Sequence, residues 1–344
     1  MKSSVKFGLP PGTVIYTGER SDLETKYELA HYNEQGFKLD TNPSNEEIWT
    51  ESDINKWLLI KGFKNVASIQ YTVSAFDLPP MILEDILNVN QRPHILTKDD
   101  KICFILTYYN LEFNRKQLSI WLTPKEVITF QETHDEMFEP LFNRLSSEQS
   151  ETRRKGPDRL ACVILDYVVD MYYIMTDKLD EEISELENNI VNSDDPASHL
   201  KEIYQMKNKV QAILQDTKAM RELVNSLVDD FSNLITADSI AYIKDVDIHL
   251  TQILDMLERF KATLSSIVDL SSAISSNRMN EIMKFLTILS AFFLPGSFLC
   301  GWYGMNWEMP EQKNHLIGGY IIFIVVNIFI IIGIYLWFKK KKWL

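Results

Sequence analysis

Ten residues toward the C-terminal end recur at steps of three and four: Asp269, Ala273, Ser276, Asn280, Met283, Thr287, Ser290, Leu294, Ser297 and Gly301. On a helix that spacing puts them on one face. Small or polar groups alternate there with Met and Leu. Asn280 and Thr287 offer neutral oxygens, which accept hydrogen bonds from the water shell of a cation without gripping the ion itself. Met283 and Leu294 offer apolar constrictions that gate by dewetting. Asp269 would form an acidic ring at one mouth. This chemistry needs several copies of the helix around an axis, because one chain supplies one row. Small polar residues serve equally as packing glue between membrane helices, so the row alone leaves path and packing both open.

The row must ride on a long helix. From Ala237 the sequence has no Pro or Gly until Pro295, a run of roughly 60 residues, or about 90 Å at 1.5 Å per residue. The serines of "LSSAISSN", 270–277, mark where a break would fall. Such a length without internal breaks points to a helix packed against copies of itself. The run Phe285 to Tyr303 is free of charge, and so is Leu316 to Phe338. Each approaches or exceeds the ~20 residues that cross a hydrocarbon core. Pro295 and Gly296 lie inside the first, where membrane helices tolerate them. Four lysines, Lys339 to Lys342, follow the second. The positive-inside rule places that end in the cytoplasm. Two spans then put the N-terminal region there too, with the short loop around Gly304 to Asn306 outside. The lysines also suit anionic lipid.

The rest of the chain divides by texture. Residues 1–150 read as mixed α/β, with strand-like runs "VIYTG", "SIQYTVS" and "ICFILTYYNLEF". The pair "QLSIWLT" and "EVITFQE" reads as a hairpin. "PPMILEDILNV" reads as a short helix opened by prolines. From about 157 the apolar spacing turns helical, with a polar break at "NSDDPASH", 192–199, and a second helix over about 198–230.

Composition excludes several classes. The 344 residues carry 48 acids against 35 bases, a net charge of −13, which argues against a nucleic-acid partner. The three cysteines, Cys103, Cys162 and Cys300, have neither zinc-ribbon nor disulfide-framework spacing. The first residues lack a continuous apolar stretch, so no signal peptide is expected. The chain contains no P-loop, HExxH or nucleophile-elbow pattern. His249 and His315 read as helix-face and loop residues, because a zinc site needs three or four convergent ligands.

Motifs then add a resemblance. "NEIMKFLTILSAFFLPGSFLCGWYGMNWEMPE" carries Gly304-Met305-Asn306 with Tyr303 before it and "MPE" after, and the chain ends "KKKKWL". With "LEDILNVNQRP", 83–93, and "KDVDIHLTQILD", 244–255, it resembles the CorA family of magnesium channels over most of its length, in the same order. The resemblance implies an α+β cytoplasmic domain, a long α-helical stalk and two transmembrane helices, assembled as a funnel-shaped homopentamer. The boundaries are then a cytoplasmic α/β domain at 1–150 and a stalk at 151–281, its last helix running on into a pore-lining span at 282–303. An outer loop at 304–315, a second span at 316–338 and a basic cytoplasmic tail at 339–344 complete the chain. Gly304, Met305 and Asn306 become the selectivity filter, with Met305 and Tyr303 as packing. Mg²⁺ dehydrates reluctantly, and Asn306 amide oxygens with Gly304 carbonyls suit a hydrated ion. Glu308 and Glu311 would concentrate cations nearby.

Asn280, Met283, Thr287, Leu294, Ser297 and Gly301 become pore-lining, and Asp269 the cytoplasmic mouth. By the same resemblance Asp85 and Asp245 meet across a subunit interface as a regulatory Mg²⁺ site, with Glu84 and Asp170 nearby. Carboxylates forced together repel, and a cation between them relieves this. High internal Mg²⁺ would then hold the channel closed. The expected cargo is Mg²⁺, with Co²⁺ and Ni²⁺ as further candidates. The place is the inner (plasma) membrane, both termini cytoplasmic, and the partners are lipid and further copies of the chain. The chain departs from the family pattern at Trp307, at Ala291 and in the shorter "WEMPEQ". Two alternatives stand beside this: a zinc transporter of the same superfamily, whose members carry Ile in place of Met305, and a membrane-anchored cytoplasmic scaffold.

Overall fold

The computed structural model describes residues 8, 10, 12–18, 22–50, 53–89, 91–193, 195–230, 235–305 and 316–343. Contacts divide the chain into two units. One comprises Met1–Glu187 with Glu202–Ser265, the other Asn188–Lys201 with Ser266–Leu344.

The first unit is built on a seven-stranded sheet: β1 Lys26–Asn33, β2 Gly36–Asp40, β3 Asn55–Lys61, β4 His94–Lys98, β5 Lys101–Tyr109, β6 Arg115–Leu122 and β7 Glu126–Gln131. The order is β2-β1-β3-β7-β6-β5-β4. Only β3 and β7 pair in parallel, and every other neighbour is antiparallel. The central strands are apolar on both faces, as a sheet covered on both sides requires. Leu58, Ile60, Cys103, Ile105 and Trp121 enter a core cluster with helices α2 Val66–Val73 and α3 Pro80–Leu87. Helix α1, Asn45–Trp49, opens on a capping box between Ser44 and Glu47 and adds Ile48 to that cluster. Elsewhere Trp57 stacks near Phe138 and Phe142, at 5.4 and 4.5 Å between ring centroids. Phe142 belongs to α4, Glu139–Ser146.

The two long helices α5 Pro157–Asn192 and α6 Leu200–Asp230 bury residues at three and four spacing, among them Leu165, Val168, Tyr172, Met175 and Leu179 on α5. They are tied to the sheet by polar bonds. Tyr172 donates to the Thr107 carbonyl at 2.8 Å. Asp216 of α6 accepts from Tyr109 Oη at 2.6 Å and from Arg115 Nε at 2.6 Å.

Three sequence readings are corrected here. "SIQYTVS" forms helix α2 rather than a strand. Asn65 caps it by accepting from Ser68 N at 3.0 Å, and Ile69, Thr72 and Val73 bury at helical spacing. Its β-branched content misled, because tertiary burial overrides propensity. "VIYTG", residues 14–18, runs outside the sheet. Val14 and Tyr16 pack on the core cluster, Tyr16 Oη donates to Glu132, and Thr17 N donates to the Leu87 carbonyl at 3.2 Å. In "ICFILTYYNLEF" the strand stops at Tyr109, where Asn110 accepts from Glu112 N at 3.1 Å and Asn114 N at 2.9 Å in an Asx turn. The predicted hairpin forms as β6 and β7.

Helix α7, Ala237–Tyr303, has 67 residues without a break, about 100 Å at 1.5 Å per residue. The serine run does not interrupt it. Ser272 Oγ bonds the Val268 carbonyl at 3.0 Å, and buried Ser271 donates to the Pro196 carbonyl at 3.0 Å. Helix α8, Leu316–Lys340, is apolar around its whole circumference. Phe292 of α7 lies 6.2 Å from Phe338 of α8 between ring centroids. A Cβ on Gly296 would stand 3.5 Å from Asn327 Oδ1, an ordinary contact distance, so α7 faces Asn327 of α8 here. Helix α8 ends in a wound cap: Lys342 has φ 56°, Trp343 N donates to the Phe338 carbonyl at 3.0 Å, and their rings stack at 5.7 Å.

Candidate functional site

The side of α7 that meets α8 is half-buried and includes Ile288, Ala291, Phe292, Gly296 and Leu299. The row Asn280, Met283, Thr287, Leu294, Ser297 and Gly301 lies about 130° around the helix at 3.6 residues per turn. Every one of those six is exposed, while Ser290 on the same row is half-buried. Asp269 is exposed as well. Thr287 Oγ1 donates to the Met283 carbonyl at 2.7 Å. Its proton is thereby used, which leaves the oxygen as an acceptor only. Phe285 and Phe293 are also exposed, as groups that face lipid or a neighbouring helix would be.

At the end of α7, Gly304 N donates to the Cys300 carbonyl at 2.9 Å and Met305 N to the Trp302 carbonyl at 3.4 Å. A Cβ at position 304 would meet the Cys300 carbonyl at 3.0 Å, so a larger residue would require the last turn of the helix to give by a few tenths of an ångström. Asn306, Trp307, Glu308 and Glu311 lie outside the described residues.

The predicted regulatory carboxylates sit on two kinds of support. Helix α3 buries Ile82, Leu83, Ile86 and Leu87, which turns Glu84 and Asp85 outward. Both are already engaged: Glu84 accepts from Gly12 N at 2.7 Å, and Asp85 from Gln91 Nε2 at 2.8 Å. Gly12 stands at φ 83°, a left-handed conformation that favours glycine. Asp245 is exposed on α7, where Ile243, Val246 and Leu250 turn inward.

Asp170 also belongs to a group that the sequence reading did not assemble. Among the described residues, the His, Cys, Asp and Glu side chains that converge in threes are Asp166, Asp170 and His249, with ligand atoms all within 4.8 Å of one another. The two acids are one turn apart on α5, and His249 is one turn beyond Asp245 on α7. His249 Nδ1 lies 3.6 Å from Asp166 Oδ1, and Nε2 lies 3.9 Å from Asp245 Oδ2. Tyr242 donates to Asp166 Oδ2 at 2.8 Å, and the Arg159 guanidinium sits 4.2 Å over the Tyr242 ring. Partial desolvation and then the Asp166 carboxylate raise the Asp170 pKa, and the charge of His249 opposes them. Burial, and then the bond to Asp166, push Tyr242 up to about 12. Reading His249 as a plain helix-face residue missed this convergence. The only sequence signal was two i, i+4 pairs, Asp166 with Asp170 and Asp245 with His249, on helices whose pairing the sequence does not display.

Among the described residues, two helices are long and apolar enough to cross a bilayer, with windows of mean hydropathy 1.7 and 2.8. The family model described as "CorA-like Mg2+ transporter protein" matches residues 62–340. The chain is 33% identical over 350 residues to the cobalt/magnesium transport protein CorA of Thermotoga maritima, covering 99% of this chain and 98% of that one. It therefore belongs to the CorA-like family of divalent-metal transporters. The solved structure of the CorA magnesium transporter from Methanocaldococcus jannaschii superposes with a TM-score of 0.78 at 18% identity, over 92% of this chain and 98% of that chain. The zinc transport protein ZntB of Cronobacter sakazakii is 21% identical over 315 residues, covering 88% of this chain and 92% of that one.

Proposed function

We propose that the chain is a Mg²⁺ influx channel that works as a homopentamer in the inner (plasma) membrane, with both termini in the cytoplasm. The observation that carries this reading is the row on α7. Helix α8 packs on another side and leaves Asn280, Met283, Thr287, Leu294, Ser297 and Gly301 uncovered. Neutral oxygens and apolar constrictions on such a row suit a hydrated cation once several copies surround an axis. The spans are 282–303 and 316–338, the outer loop 304–315 and the basic tail 339–344. Entry is driven by the membrane potential, which favours an inward doubly charged ion by roughly 4.6 kcal/mol per 100 mV.

Gly304, Met305 and Asn306 form the outer filter, and Asp269 rings the cytoplasmic mouth. Asp85 and Asp245, with Glu84 and Asp170, form the sensor that closes the channel when internal Mg²⁺ is high. The Thermotoga relative is named for cobalt and magnesium, which supports Mg²⁺ and Co²⁺ as cargo. The zinc transporter relative supports the alternative of Zn²⁺, against which Met305 counts.

Purified protein in liposomes admits Mg²⁺ when the interior is negative, and does so faster than Zn²⁺. Absence of potential-driven Mg²⁺ entry would sink the proposal. Asp245→Ala weakens inhibition by internal Mg²⁺, and unchanged inhibition removes that residue from the sensor.

A further inference from the structure

One end of the sheet gathers lysines that neither the ion path nor the sensor uses. Strands β3 and β7 run in parallel and start side by side there, with Lys56 opposite Glu126. The β6–β7 turn adds Lys125, and β5 begins at Lys101. Helix α1 ends against them with Ile48 and Trp49, and the turn after α2 brings Phe76. Between these elements lies a cavity of about 310 Å³, lined by all three lysines, Trp49 and Phe76. That volume suits a small metabolite.

The cavity has a buried floor and an open rim. Lys56 is 4% exposed, and its ammonium donates to the Ile48 carbonyl at 3.3 Å and to that of Thr50. Lys101 Nζ donates to the Phe76 carbonyl at 3.4 Å and pairs with Asp77 Oδ2 at 2.8 Å. Those bonds use two of its three protons and fix its direction. Lys125 is exposed at the rim, where its ammonium makes no hydrogen bond or ion pair among the described residues. Glu126, the carboxylate in the lining, already accepts from Thr123 Oγ1. On a chain of net charge −13, three ammoniums beside one engaged carboxylate reverse the local sign. Such a recess concentrates anions. Trp49 adds a partly buried indole, oriented by a bond from Nε1 to the Thr72 carbonyl at 3.1 Å. Exposed Tyr71 meets that ring edge-on at 4.8 Å and extends the aromatic surface.

We propose that this cavity binds a nucleoside phosphate, with the phosphates on Lys101 and Lys125 and the base against Trp49. Lysine ammoniums pair with phosphate as point charges. Nucleobases stack on aromatic side chains whichever base they carry. Lysines and Mg²⁺ compete for the same phosphate oxygens, so the metal-free nucleotide is the form bound. Occupancy therefore falls as free Mg²⁺ rises. The site lies wholly in the α/β domain and shares no residue with the ion path or the sensor.

The test is equilibrium dialysis of the full-length protein in detergent against radiolabelled ATP, with a chelator to remove metal. One ATP binds per subunit. Lys125→Glu, in an exposed turn, weakens it about tenfold or more, the worth of one charge-assisted hydrogen bond. Lys26→Glu makes the same change of charge opposite Lys61, at the far end of β3, and leaves binding unchanged. Trp49→Leu weakens ATP but spares inorganic triphosphate, which separates the base contact from the phosphate contact. Should Trp49→Leu fail to fold, competition in the wild type decides: ATP outcompetes inorganic triphosphate if the base is held. Added Mg²⁺ lowers ATP binding. Absence of saturable binding, equal affinity for ATP and triphosphate, or ATP binding that Lys125→Glu or excess Mg²⁺ leaves intact overturns the proposal. None of these results bears on Mg²⁺ influx, which the liposome assay reads separately.

Discussion

Replacing Asp216 by Ala removes the acceptor shared by Arg115 and Tyr109, where α6 meets the sheet. Asp216 takes Arg115 Nε at 2.6 Å, Arg115 Nη2 at 3.2 Å and Tyr109 Oη at 2.6 Å. Burial works against the Arg115 charge, but the bond and charge of Asp216 outweigh it and raise the Arg115 pKa. Burial, and then the bond to Asp216, raise that of Tyr109. Breaking a buried pair by removing one partner costs about 3–5 kcal/mol, because the remaining charge is left without compensation. The side chains here are 22% and 12% exposed, so water offsets part of that loss, and about 2–4 kcal/mol is the expected cost. For a folding unit of this size that corresponds to a fall of about 5–10 °C in Tm.

The assay is thermal unfolding of the full-length protein in detergent, followed by tryptophan fluorescence. The double variant Arg115→Met with Asp216→Leu recovers most of the loss, since it removes both charges and fills the space. A drop of less than 1 °C in Asp216→Ala, or equal drops in the single and double variants, would refute the reasoning.

Thr287→Val keeps the shape of the side chain and removes the oxygen acceptor that the exposed row presents. Mg²⁺ entry into liposomes should fall about fivefold while the oligomer persists, since a hydrogen bond is worth about 1 kcal/mol. Unchanged influx would remove Thr287 from the ion path. Burial and nearby Asp158 push the Cys162 thiol up to about 12, and burial raises that of Cys103 still further. At pH 8 a maleimide should therefore modify neither cysteine in the folded protein and both after denaturation. Peptide mass spectrometry reads this, and native modification of either one contradicts the packing.

Periodicity carried the long helices, because their buried residues repeat at three and four over many turns. The 67-residue α7 was foreseen from the lack of Pro and Gly, and the β6–β7 hairpin from two alternating runs. Short segments were harder. "SIQYTVS" is rich in residues that favour strands, yet it folds as a helix under its local Asn65 cap and by burial on the sheet, which is not local in sequence. The exposed row was legible because it lies on one helix. The convergence of Asp166, Asp170 and His249 was not, because it depends on the rotation of α5 against α7. That angle is set by ridges of apolar side chains in contact rather than by any motif.

The cap of α8 also acts as a depth marker. Phe338, Trp337 and Trp343 gather beside the first of four lysines, the aromatic and basic composition that membrane–water interfaces favour. Phe292 of α7 touches Phe338, so it lies at the same level. Counting back at about 1.5 Å per residue, Thr287 lies five residues, or about 7.5 Å, from Phe292 along α7. Met283 and Asn280 lie some 13–18 Å from Phe292 by the same rise. In the proposed pore, an inbound ion would pass the level of that cap before it reached Thr287, Met283 and Asn280 in turn.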